Sequence, residues 1–143
     1  GVSVQAILET MNKRIKVLLD RDHCIGHAYF TSLIEEPSLE LLMTIFEKRI
    51  IPLLQEYFFD DWTKINLVLG ENGMVYTINL DSSLFPSMNP SEIEHLTKRN
   101  WDVYKYLFKN APLEKKINAL NQIIRPKKDY KIPKPEITDE EAS

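Results

Sequence analysis

The sequence predicts a mainly α protein: a four-helix bundle over residues 1–70, then a small, mostly helical α+β appendage over 71–125 with one or two short strands. Residues 126–143 are expected to be an extended or disordered tail. Three observations predict this. Apolar residues recur at spacings of three and four over residues 4–19, 39–58 and 113–124, the period of a helix with one buried face. Asn72-Gly73 then marks a turn, and residues 74–80 alternate as a short strand does. From Arg125 the chain is rich in Lys and Pro before turning acidic, a composition poor in core-forming side chains.

In chain order, the first helix carries Val4, Ile7, Leu8, Met11, Ile15, Leu18 and Leu19 on its apolar face, with Ser3 as N-cap. Residues 20–25 read as a turn and a second short helix starts near Gly26. Pro37 disfavours helix at Glu36, and Ser38 can cap the next helix. That third helix, 39–58, has Leu42, Ile45, Phe46, Ile50, Leu53, Leu54 and Tyr57 as core positions. Pro52 lies inside it, so a kink or a break is expected near Arg49. Asp60 or Asp61 caps a fourth helix that Gly70 ends. Tyr57, Phe58, Phe59 and Trp62 read most simply as core. After the strand at 74–80, Ser91 is expected to cap a short helix to about Leu96. Residues 102–109 are expected to be helical, and 113–124 is a clear helix. No internal repeat is visible.

Composition bounds the function. A hydrophobic share of 43% supports a real core, and a net charge of -3 gives no global pull toward nucleic acid or membrane. Bases outnumber acids only from Lys98 to Lys134, a weak basic region. The single cysteine, Cys24, excludes an intramolecular disulfide and fits a reducing, cytoplasmic setting. No stretch is long and apolar enough to span a membrane. A chain that starts at Gly1 and enters a helical pattern at once reads as a piece of a longer protein.

The run LLDRDHCIGHAYF, residues 18–30, packs two acids, an arginine, two histidines and a glycine between apolar flanks. Together with the preceding MNKRI, and with IIPLLQEYF at 50–58 and DWTKINLVLG at 61–70, it resembles the lid of McrB-type AAA+ proteins, the GTP-hydrolysing motors of modification-dependent restriction systems. The resemblance covers about the first half of the chain. It implies a helical lid that closes over nucleotide held by an AAA+ core, transmits nucleotide state between subunits, and performs no catalysis alone. It further implies GTP or ATP with magnesium in the intact protein, neighbouring subunits of a ring (a hexamer), a possible nuclease subunit, and DNA contacted through the complex. Asp22, His23, Gly26 and His27 are then expected to face the nucleotide or the core, and Arg14 and Arg21 to reach a ring interface. The sequence has no G-x-x-x-x-G-K-S/T phosphate loop and no magnesium-binding acid pair after an apolar run. Such motifs are expected immediately upstream in the parent gene, and no cofactor is expected on this chain alone.

Blander readings stand beside these. Asp22 could cap the second helix while the histidines pair with carboxylates or backbone. His23 and His27, four residues apart, suit a metal pair and a metal-dependent enzyme, but no third ligand is evident. Arg14 and Arg21 could be surface or helix-dipole partners. Tyr104, Tyr106 and Phe108, interleaved with Lys105 and Lys109, could stack bases, or form the apolar face of a packed helix. The half after Gly70 could instead be an interaction module that docks a nuclease or other partner subunit.

Overall fold

The structure is a computed structural model, and it describes residues 2–135. Helix α1 (Val4–Leu18) begins as expected, with the Ser3 side chain accepting from the Ala6 amide. Its stripe of Ile7, Leu8, Met11 and Ile15 is fully or almost fully buried, while Val4, Leu18 and Leu19 only flank the core. A loop leads to a single 3-10 turn (His27–Phe30) and the one-turn helix α2 (Ser32–Glu35). Ser38 then caps α3 (Leu39–Ile45), accepting from the Leu41 amide.

The long helix does not break at Pro52. It widens one turn earlier, over Phe46–Ile50, into a π-helical turn, and continues as α4 (Ile51–Tyr57). Proline has no N–H to return to the carbonyl four residues back, and a wider turn is one way to absorb that lost bond. Phe46, Ile50 and Leu54 stay buried through the change. Asp61 caps α5 (Trp62–Val68) by accepting from the Lys64 amide. The expected core position of Phe59 is wrong. It is 89% exposed, and Phe59 and Asp60 both take positive φ (50° and 60°) to turn the chain between α4 and α5.

The second half adds a two-stranded antiparallel sheet, β1 (Val75–Thr77) paired with β2 (Trp101–Val103), in the register Tyr76 opposite Asp102. Helix was expected from residue 102, but helix α7 covers only Lys105–Lys109. Cross-strand pairing with β1 outweighs the local helical spacing of the aromatics there. Between the strands lies α6 (Pro90–Thr97), capped by Asn89 in a reciprocal capping box with Glu92, not by Ser91. Pro90 at the first helical position explains the shift, since it needs no N–H acceptor there. Helix α8 (Leu113–Ile124) has the expected bounds.

One core joins both halves. Helix α8 packs along α1, α7 packs on α3, and Ala119, Leu120 and Ile123 are buried in the same cluster as Ile7 and Met11. Gly70 shows how tightly: at φ +71°, a Cβ there would lie 2.8 Å from the Gln122 carbonyl oxygen of α8. Residues 126–135 have no regular secondary structure and fold back on the molecule. The Tyr130 hydroxyl donates to the Asn72 carbonyl at 2.9 Å, and Pro133 covers Gly73. The remainder of the expected tail, 136–143, lies outside the described residues.

Candidate functional site

The polar run sits at the C-terminal end of α1, and its backbone is pinned from three sides. Asp20 organises the turn: one carboxylate oxygen accepts from the amides of Asp22 and His23, both at 2.9 Å. The same carboxylate takes the Nδ1 hydrogen of the His23 ring at 2.7 Å. A carboxylate only accepts, so the hydrogen is on Nδ1 and Nε2 is left outward. The hydrogen bond from the His23 side chain is the main cause holding the Asp20 carboxyl below its ordinary value, opposed by desolvation and helped by the two amides.

Asn12 fixes the far side of the loop. From the middle of α1 its side chain accepts from the Ile25 amide at 2.6 Å and donates to the Ile25 carbonyl at 3.1 Å, imitating a strand partner. Ile25 is thereby buried at the edge of the core. The third pin is Tyr57 of α4, whose hydroxyl donates to the Cys24 carbonyl at 2.8 Å while its ring meets the His23 ring edge-on at 4.9 Å. Desolvation, with Tyr29 and Cys24 close by, raises the Tyr57 phenol. Beyond it, the Arg49 guanidinium lies 5.4 Å over the Tyr29 ring.

The four nucleotide- or core-facing candidates therefore lie on one loop. Asp22, His23 and His27 are exposed, and Gly26 is partly so. Asp22 does not cap the following turn, which has no side-chain cap; Asp20 does the capping one turn earlier. Gly26 is extended (φ -79°), and nothing lies within 4 Å of where its Cβ would be. Neither backbone strain nor packing demands a glycine at that place.

The two arginines part company. Arg21 is exposed on the loop. Arg14 is half-buried and donates to the Val68 carbonyl at 3.0 Å, closing the C-terminal end of α5. Burial pulls its guanidinium below its ordinary value, with Glu71 opposing. Among the described residues no three His, Cys, Asp or Glu side chains gather as a metal site, so His23 and His27 have no third ligand there. Of the aromatics in α7 and before it, Phe108 is buried, Tyr104 is partly buried against the core, and Tyr106 is 40% exposed.

The comparison with known families bears on the half that contains this loop. Residues 3–66 match the family model of the McrB alpha-helical lid domain. Residues 3–66 are a McrB-type lid region. The match runs from the cap of α1 into α5, so the pinned loop and the π-helical turn both belong to the lid. No curated protein and no solved structure matches the chain. Among the described residues no helix is long and apolar enough to cross a membrane.

The loop-holding roles of Asn12 and Tyr57 are not legible in the sequence, where Tyr57 reads only as core. Their partners are 13 and 33 residues away, and no local spacing encodes such pairs. The available signal was an asparagine four residues after Leu8, beside an otherwise apolar stripe.

Proposed function

We propose that this chain works as the lid of an AAA+ NTPase, a GTPase motor of a McrBC-like restriction system, closing over nucleotide bound by a core domain and passing its state to neighbouring subunits of a ring. The observation that carries this reading is the lid match over residues 3–66, which includes an exposed histidine loop whose backbone is held rigidly from below. The intact protein would use GTP or ATP with magnesium in the cytoplasm and meet DNA through its complex, with a nuclease subunit as a further partner.

The chemistry of the loop suits recognition better than catalysis. The pinned loop exposes the His27 ring, whose imidazole N–H can donate to a phosphate oxygen, whereas His23, its ring hydrogen engaged by Asp20, offers an acceptor at Nε2. Bare space at Gly26 lets a phosphate approach the main chain closely. The sequence offers no phosphate loop, so the nucleotide's charge must be met mostly by the core. Closure of such a lid excludes water and completes the site, and this is gating through a hinge.

The test is made in the chain and in its parent. The chain alone is expected to show no GTP or ATP turnover above buffer. In the parent, Gly26→Ala and His27→Ala are each expected to cut GTP turnover by roughly tenfold or more with melting temperatures unchanged. Turnover at the parental level in both variants would remove this loop from the nucleotide site.

A further inference from the structure

At the other end of α1 lies a second surface, unconnected with the histidine loop. A groove of about 430 Å³ opens between the start of α1, the α2–α3 turn and the start of α8. Its walls are apolar: Val2 and Val4, Leu33 and Leu39, Leu113 and Ile117. One large apolar side chain of the groove wall is turned to solvent, Leu113 (61% exposed), and Ile34, next to the lining residue Leu33 in sequence, is 80% exposed. Buried helix faces do not need these side chains, since α1 and α8 already bury their own stripes against each other. An apolar groove with a large side chain open to solvent is a surface that a partner's apolar side chains can fill.

The charge around the groove says what fits it. Glu36, Glu40 and Glu114 are exposed and directly adjoin the lining residues Pro37, Leu39 and Leu113, with Glu35 one position further. The opposing cation on these segments is the exposed Lys115. Lys116 is buried, with its ammonium turned to the Lys109 carbonyl. The apolar lining is thus flanked along the chain by exposed acids, with one exposed base. That charge argues against a second copy docking its most exposed aromatic here, because Phe59 is followed by Asp60 and Asp61.

We propose that this groove receives an amphipathic peptide segment of a protein partner, its apolar side chains in the groove and its Lys or Arg side chains against the flanking acids. The recognition is that of a helix laid in a groove, with apolar contact supplying affinity and the flanking acids fixing orientation and partner choice.

The probe is a fluorescein-labelled amphipathic peptide of leucine and lysine, titrated with the 143-residue chain and followed by anisotropy. Its leucine–glutamate counterpart serves as the control. The lysine peptide is expected to bind and the glutamate peptide not. Leu113→Ser, at an exposed first helical position where serine is tolerated, is expected to weaken binding roughly tenfold, about the worth of one buried apolar side chain. Glu36→Gln with Glu40→Gln is expected to weaken it several-fold and to flatten its salt dependence. Equal binding of the two peptides, or undiminished binding by the Leu113 variant with its circular dichroism unchanged, would overturn the proposal. So would concentration-dependent dimerisation in sedimentation that Leu113→Ser abolishes, since the groove would then serve a second copy.

Discussion

At the scale of single residues, Asn12 anchors the loop from outside it, bonding both the amide and the carbonyl of Ile25. Replacing it with alanine leaves the buried Ile25 amide with no partner, and an orphaned buried donor costs about 1–3 kcal/mol. Asn12→Ala is therefore expected to lower the urea midpoint by a corresponding amount and to speed hydrogen exchange in residues 20–29 before the rest. Gly70→Ala is expected to cost about 1–3 kcal/mol or more, because φ is left-handed there and α8 leaves no room for a Cβ. Asp20 gives a pH signature. Its carboxyl is held below the ordinary value in the folded chain, so its contribution is present above roughly pH 4 and is lost as pH falls through its depressed value. The amide resonances of Asp22 and His23 are expected to shift together in that acidic window. Sequence revealed the crowding of this loop but not which acid organises it. Asp20 and Asp22 are equivalent by spacing, and only the fold decides which faces the His23 amide.

At the scale of elements, legibility follows how local the forces are. Helices α1 and α8 were readable almost to the residue because each buries one apolar stripe. Strand β2 was not, because Trp101–Val103 is three residues long and its state depends on β1, some 26 positions away in register. Helix α6 buries none of its side chains, so its caps matter unusually. Asn89→Ala is expected to remove about 1 kcal/mol from that helix, seen as faster amide exchange in α6 with α1 unaffected. In the returning segment 126–135, the Tyr130 hydroxyl on the Asn72 carbonyl is one of several ties, beside the Gln122 side chain on Lys127 and Pro133 over Gly73. Burial pushes the Tyr130 phenol up to about 12. A raised value means that stability is intact below roughly pH 10 and is lost as pH rises toward about 12. An alkaline melt of the chain should show this loss, and Tyr130→Phe should remove that part of the pH dependence.

At the scale of the molecule, the lid match stops inside α5 but the core does not. Helix α8 covers α1, and Gln122 donates to the Gly70 carbonyl across the same contact. A fragment of residues 1–70 would expose the face of α1 that α8 buries. It is expected to keep helical far-ultraviolet dichroism but to lose its cooperative melt, as a chain without fixed packing does. A cooperative transition in that fragment would mean that the lid half stands alone. This dependence was hidden in the sequence, where Gly70 reads as a boundary; in three dimensions it is a point of closest approach. Helix α1 has one more consequence. It is a single uninterrupted rod of 15 residues, about 22 Å long by its rise per residue, with the histidine loop at one end and the apolar groove at the other. If closure over a nucleotide tilts that rod, the groove must move with it, and equilibrium thermodynamics makes the traffic two-way. Whatever factor a nucleotide imposes on peptide affinity, the peptide must return to nucleotide affinity.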